Sequence, residues 1–150
     1  MLFRSLSGPN VNLRRKEEES LFHSITSIST ALRQARITLY SIDPVGVADA
    51  GGFRTYYYES FLKGVSKPEK AQAGDLALQV IAVQSGGRVL NSSNDISTEI
   101  ATCVADANAS YVLSIAPGVV EHAEEYHPLA VTVSNANLTA RTRAGYYTQP

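Results

Sequence analysis

The chain has 150 residues, of which 44% are hydrophobic and 18% charged, a balance that suits one folded domain and excludes a wholly disordered chain. Thirteen basic and fourteen acidic residues leave a formal charge of -1, so we expect neither a nucleic-acid-binding surface nor a polybasic membrane anchor. The single cysteine, Cys103, cannot form an internal disulfide. No apolar run approaches the roughly 20 residues that cross a bilayer, so no membrane insertion is expected, and residues 1–8 lack the apolar stretch of a signal peptide.

The first predicted element is an amphipathic helix that follows a polar, irregular lead-in at residues 1–19. The lead-in ends in a run of mixed charge, Arg14–Glu19, which is typical of a solvated helix start. From Ser20 onward, apolar residues recur at helical spacing and form one stripe, made of Leu21, Ile25, Ile28 and Leu32. His23 lies off this stripe, so we expect it to be exposed.

Two strands that run in the same direction are predicted in the middle of the chain. Ile37–Ile42 is β-prone and nearly apolar on both faces, as in a buried parallel strand, and Pro44 disfavours its continuation. A helix capped by Asp75 follows and stops at Gly86-Gly87, because glycine accepts the left-handed conformation of a helix end. Arg88–Leu90 is the second strand, which a right-handed crossover places beside the first.

The last third of the chain combines a helix with alternating segments. The inner face of this third helix is predicted to consist of Ile96, Ile100, Cys103, Val104 and Ala107. Cys103 is interpreted as a small buried hydrophobe rather than a nucleophile. Alternation predicts strands at Tyr111–Ile115, Leu129–Val133 and Leu138–Tyr146, with turn chemistry at Asn135–Asn137. The predicted fold class is therefore α/β, with parallel strands and an antiparallel extension.

Five segments carry a family resemblance in their order along the chain. They are Ala31–Gly46, Leu76–Leu90 with its Gln84-Ser85-Gly86-Gly87-Arg88-Val89 core, Asn94–Ile96, Tyr111–Pro117 and Arg141–Tyr147. Together they resemble the C-terminal portion of a von Willebrand factor type A (vWA) domain, of the VWFA-related kind described in acidobacterial proteins. The resemblance implies a partial Rossmann-like parallel sheet flanked by helices over residues 20–150, ending in antiparallel strands. It also implies a binding or adhesion role and a parent protein that is exported to the periplasm or the cell exterior.

The metal-binding loop of that family has no counterpart in this sequence. Type A domains hold a divalent cation through an Asp-x-Ser-x-Ser loop, whose oxygen ligands suit Mg²⁺. The nearest imitation, Asp95–Glu99, fails at its last position and is interpreted as helix capping. We therefore carry over no metal site, no cofactor and no catalytic residue. Asp43 is the candidate for a ligand rim, since it follows a predicted strand at the end where open α/β sheets gather their ligands.

One further cluster contains residue types that bind metals. His122, Glu125 and His127 lie close together in the sequence and could act as ligands, although their spacing matches no helical zinc motif and Pro128 follows directly. The alternative is a polar loop between two strands. Phosphate-binding glycine loops and the Gly-x-Ser-x-Gly elbow do not occur in the sequence.

Three functional hypotheses follow. The first is a non-enzymatic vWA-like module that binds a protein partner through loops at the strand ends. The second is an incomplete structural fragment that forms homo-oligomers through the open edge of Ile37–Ile42, since open sheet edges recruit further strands. The third is a metal-dependent hydrolase that uses the His122/His127 loop.

Overall fold

The computed structural model describes residues 15–44, 57–115 and 122–149. Its helices and strands are, in chain order, α1 (Arg15–Gln34), β1 (Ser41–Ile42), α2 (Leu78–Gln84), β2 (Val89–Leu90), α3 (Ile96–Asn108), β3 (Tyr126–Pro128) and β4 (Gly145–Tyr147). Between β1 and α2, the described residues 57–77 contain three short 3-10 turns, at Tyr57–Phe61, Pro68–Lys70 and Ala73–Leu76. The described part of the chain is therefore mixed α/β, with a parallel and an antiparallel pair of strands.

Helix α1 is confirmed, and it begins in the charged run Arg14–Glu19 that is interpreted as a solvated helix start, before the apolar stripe. It starts at Arg15, so the predicted boundary at residue 19 falls inside the helix, with Glu17 and Glu18 in its first turn near the positive end of the helix dipole. Its buried residues are Phe22, Ile25 and Thr26, whereas Ile28 of the predicted stripe is 38% exposed. The buried face is centred on Phe22 because this ring packs against the C-terminal strand of the chain.

The parallel arrangement of the first two strands is confirmed. Ser41 lies beside Val89 and Ile42 beside Leu90, and the ladder continues through the Asp43 N–H, which donates to the Leu90 carbonyl at 2.8 Å. Each strand is only two residues long, and Ile37–Tyr40 precede β1 without strand pairing. One reason is that the Leu39 N–H donates to the Ser85 hydroxyl at 2.8 Å. A full Rossmann-like sheet is therefore not present in the described residues.

The predicted second helix is divided into two pieces. Asp75 does not cap α2; it lies in the preceding 3-10 turn, where its carboxylate accepts the Gln72 N–H at 2.8 Å. Helix α2 then starts at Leu78 and buries Val80 and Ala82. Its predicted end is confirmed, since Gly86 has a φ of +94°, which a side chain would strain.

Helix α3 has the predicted position but a different orientation. Glu99 is its buried residue, and Cys103 is half-buried, whereas Ile96, Ile100 and Val104 are all more than two-fifths exposed. The predicted inner face is thus wrong by about a quarter of a helical turn.

The two strands of the C-terminal hairpin pair with each other at positions that lie further from the turn than the sequence alternation predicts. Tyr126 lies opposite Tyr147 and Pro128 opposite Gly145, while Leu129–Val133 forms no strand. The turn itself is where the sequence predicts it, because the Leu138 N–H donates to the Asn135 carbonyl at 3.1 Å. Tyr111–Ile115, the other predicted strand, is not paired with any described strand.

The core joins α1, the 3-10 turns and the hairpin. Its buried members are Phe22, Ile25, Val65, Ala71 and Tyr147. Arg143, on the hairpin, donates to the Leu32 carbonyl at 3.0 Å and to the Ile37 carbonyl at 2.6 Å, so it caps the C-terminal end of α1. Helix α3 contributes no residue to this core cluster.

Candidate functional site

Helix α3 and the segment that follows it expose seven large apolar side chains, which we call together the apolar face: Ile96, Ile100, Val104, Tyr111, Val112, Leu113 and Ile115. Their exposed fractions range from 44% for Ile96 to 93% for Tyr111. Scattered exposed hydrophobic residues are normal on protein surfaces, but a group this dense within 20 residues of chain is not.

On another side of α3, away from its exposed apolar side chains, two acidic residues form hydrogen bonds with the rest of the protein. Asp106 accepts the Tyr40 hydroxyl at 2.8 Å and forms an ion pair with Arg141. Glu99 accepts the Ser93 N–H at 3.2 Å while it is only 4% exposed. Only one oxygen of the Glu99 carboxylate is bonded in this way, and its Oε2 atom is buried without a hydrogen-bond partner among the described residues.

The N-terminal end of α3 is fixed by Asp95, as the capping interpretation predicts. Its carboxylate accepts the Thr98 N–H at 3.1 Å and the Thr98 hydroxyl at 2.6 Å. These hydrogen bonds, the side-chain one first, lower the pKa of Asp95 below its ordinary value. Asp95 is thus a helix cap in this structure.

The apolar face carries no charge of its own. Between residues 96 and 115 the sequence contains only two charged residues, Glu99 and Asp106. Glu99 is buried and Asp106 is held in its ion pair with Arg141. A partner that binds this face therefore has no charge to match, and the hydrophobic effect is the available driving force.

Asp43, the predicted rim residue, is exposed and lies directly after β1. Because β1 and β2 are parallel, Asp43 and Asn91 follow them at the same edge of the sheet. Within residues 15–44, 57–115 and 122–149, no three His, Cys, Asp or Glu side chains come together in a way that could hold a metal ion. The role of Asp43 in ligand binding stays a prediction.

The His122 loop makes structural contacts instead of gathering its predicted ligands. The carbonyl of His122 accepts the Thr148 hydroxyl at 2.6 Å, and the His127 ring stacks on Tyr146 with centroids 5.2 Å apart. The carboxylate of Glu125 is 3.9 Å from the His127 Nε2 atom. Glu125 and His127 therefore stay near each other, but the described residues bring no third potential metal ligand to them.

Glu124, next to that loop, has the contact that the sequence could not indicate. Its Oε1 atom is 3.2 Å from His23 Nδ1 and accepts the Thr26 hydroxyl at 3.1 Å. His23 is exposed, as predicted, yet it meets a residue 101 positions away. The pair joins α1 to the start of the hairpin.

A second site that sequence analysis missed is a cavity of about 200 Å³ beside the core. It lies among the 3-10 turns and is lined by Ser60, Phe61, Lys63, Gly64, Val65, Lys70, Gln72 and Asp75. Asp75 is 4% exposed, and burial raises its pKa although the Gln72 N–H opposes the shift. No sequence motif marks this cavity, because the turns that line it have no regular spacing.

The raised pKa of Asp75 predicts a pH-dependent contribution to stability. The folded state holds the Asp75 proton more tightly than the unfolded state does. The stability that the protonated Asp75 contributes is therefore fully present below about pH 4, and it is lost as the pH rises through the folded-state pKa. Asp75→Asn keeps the acceptor for Gln72 but cannot ionise. We expect this variant to gain stability relative to wild type between about pH 4 and pH 7 in urea unfolding.

Asp95→Asn is the matched control with the opposite sign. In the wild-type protein the pKa of the Asp95 carboxyl is lowered, so wild type should gain stability over this variant as the pH rises from acid to neutral. A difference between wild type and Asp75→Asn that stays constant across this pH range would contradict the burial argument.

Comparisons with family models, characterised proteins and solved structures give no match to this chain. None of the helices in the described ranges has both the length and the apolar content needed to span a membrane. At the level of class, the part of the chain that the structure describes is mixed α/β, with a parallel and an antiparallel strand pair.

Proposed function

We propose that this chain is a non-enzymatic protein-binding module, the C-terminal part of a vWA-like domain, and that it binds through the apolar face. The observation that carries the proposal is the exposure of Ile100, Val104 and the run Tyr111–Ile115 within a stretch of the chain whose charged residues, Glu99 and Asp106, are buried or held in an ion pair. The parallel pairing of β1 and β2, joined by α2, supports the likeness to a vWA domain.

The size of the apolar face supports a binding role. Taking roughly 150–200 Å² for each of the seven side chains, their exposed fractions leave an area on the order of 800 Å². An exposed apolar area of this size favours binding of another molecule, since burial of apolar area is worth about 25 cal/mol per Å².

Self-association through the edge of Ile37–Ile42 is the alternative. Ile37 is 45% exposed, which favours it. However, the Ile37 carbonyl already accepts Arg143, and the Leu39 N–H is bonded to Ser85. With these backbone groups occupied, the segment offers a new strand fewer partners than an open edge would.

A pull-down with paired variants tests the proposal. The complete chain serves as bait in three forms: wild type, Ile100→Lys with Val104→Lys, and Ala101→Lys with Ala105→Lys. The last form is the control, because it adds the same charge to exposed positions on another side of α3. We expect wild type and control to retain the same proteins and the Ile100/Val104 variant to lose them. Retention of the same proteins by all three forms, or of none by wild type, contradicts the proposal.

A further inference from the structure

The cavity of about 200 Å³ beside the core is lined by charged residues of both signs. Lys63 and Lys70 line it together with the buried Asp75, and the three residues come from different parts of the turn region 57–76. Within the described residues, no ion pair joins Asp75 to either lysine. Positive and negative groups therefore border one space without neutralising each other.

Asp75 supplies this cavity with a charged group that is held inside the protein. It is 4% exposed, and its Oδ2 atom accepts the Gln72 N–H at 2.8 Å. A carboxylate has about four sites for hydrogen bonds, so this one can accept a further donor. An ammonium group suits the position best, because a charge-assisted hydrogen bond is about twice as strong as a neutral one and offsets the cost of burying a carboxylate.

Close packing holds the walls of the cavity in place. Gly64 has a φ of +74° and lies so near the ring of Tyr126 that a Cβ atom would overlap it. Gly74 meets the ring of Phe61 in the same way. Because these walls are fixed before a ligand enters, binding does not have to order them, and less free energy is lost on association.

We infer that this cavity binds a small amino acid, whose ammonium group donates to Asp75 and whose carboxylate lies near Lys63 and Lys70. At about 30 Å³ for each water-sized group, the cavity holds roughly seven non-hydrogen atoms, the size of a short amino acid. A ligand with one positive and one negative group matches both kinds of wall charge. A simple anion would leave Asp75 without a counter-charge, and a simple amine would leave the lysines without one.

Calorimetric titration of the complete chain tests this inference. The probes are glycine, β-alanine and γ-aminobutyrate, which differ in the spacing of their two charges, and butyrate and butylamine, which each lack one charge. We expect at least one of the amino acids to bind with a millimolar or lower dissociation constant. Butyrate and butylamine should bind roughly tenfold more weakly or worse, because the missing group leaves a wall charge unpaired.

Variants of the lining residues assign the two ends of the ligand. The double variant Lys63→Gln with Lys70→Gln should weaken binding of the amino acid roughly tenfold, since it removes both cations. Lys67→Gln is the matched control, because Lys67 is exposed in the same segment but does not line the cavity. Asp75→Asn should bind γ-aminobutyrate and butyrate with similar affinity, because the asparagine side chain no longer favours an ammonium group.

Four outcomes overturn the inference. They are failure of all three amino acids to bind at about 10 mM, butyrate that binds wild type as tightly as they do, a Lys67→Gln variant as weak as the double lysine variant, and an Asp75→Asn variant that still prefers γ-aminobutyrate to butyrate. The inference goes beyond the proposed function, since no residue of the apolar face lines the cavity. The variant Ile100→Lys with Val104→Lys should therefore bind the amino acid as wild type does, whatever the pull-down shows.

Discussion

Replacing Tyr147 with alanine is expected to lower the free energy of unfolding by about 4 kcal/mol, the largest effect of any substitution considered for this chain. The ring is 2% exposed and packs edge-on against Phe22, with centroids 6.1 Å apart, and against Tyr126 at 5.1 Å. Alanine would leave a cavity where α1, the hairpin and the 3-10 turns meet. Urea or thermal unfolding measures the loss.

Tyr147→Phe isolates the hydroxyl from the ring. The hydroxyl accepts the Val65 N–H at 3.3 Å and donates to the Val65 carbonyl at 3.0 Å, so phenylalanine leaves two buried backbone groups without a partner. We expect a loss of about 2 kcal/mol. Tyr111→Phe, the same change at an exposed site, should stay within about 0.5 kcal/mol of wild type. Equal losses for the two phenylalanine variants would contradict the buried hydrogen bonds.

The hydroxyl also makes this effect depend on pH. Burial, above all, raises the pKa of Tyr147 to about 12, whereas an unfolded tyrosine ionises near 10. The folded state keeps the proton longer, so the stability due to the neutral hydroxyl is complete below about pH 10 and is lost as the pH rises to about 12. Burial raises the pKa of Tyr126 too, so only the difference between wild type and Tyr147→Phe isolates Tyr147. That difference should shrink over this range.

Gly87→Ala is expected to cost about 3 kcal/mol by separating the two parallel strands. A Cβ atom at this buried position would overlap the carbonyl oxygen of Leu39, which is backbone and cannot rotate away. Gly87 directly precedes Arg88, whose carbonyl accepts the Ser41 N–H at 2.9 Å, so the clash falls on the first hydrogen bond of the ladder. Chemical denaturation gives the change in stability.

Ser92→Ala serves as the control for Gly87→Ala. Ser92 is exposed just beyond the other end of β2, and its substitution should change stability by less than about 0.5 kcal/mol. If Gly87→Ala is as mild as this control, the close approach of Gly87 to Leu39, and with it the parallel pairing of β1 and β2, is wrong.

Local chemistry determined several elements that the structure confirms. The apolar spacing along α1, the Gly86-Gly87 stop after α2 and the turn at Asn135–Asn137 each depend on residues within a few positions of one another. The parallel relation of β1 and β2 is also predictable, because a helical connection between two strands leads to right-handed, parallel neighbours. Such features require no knowledge of distant contacts.

The functional residues were less predictable. The His122 loop contains residue types that bind metals, but the described residues bring no three such side chains together, and the ligand-rim role of Asp43 stays a prediction. The cavity beside Asp75 carries no motif at all. The α3 part of the apolar face has helical periodicity, which predicts a buried side because amphipathic helices usually bury their apolar residues, whereas residues 111–115 alternate like a strand.

The sequence by itself determined that this is a mixed α/β chain with α1, α2, a parallel pair of strands and a C-terminal turn, because backbone preference and side-chain spacing act over a few residues. Only the tertiary structure decided which side of α3 faces inward. Asp106 meets Tyr40 and Arg141, which are 66 and 35 positions away, and the local pattern of apolar residues along α3 cannot indicate contacts between residues so far apart in the chain.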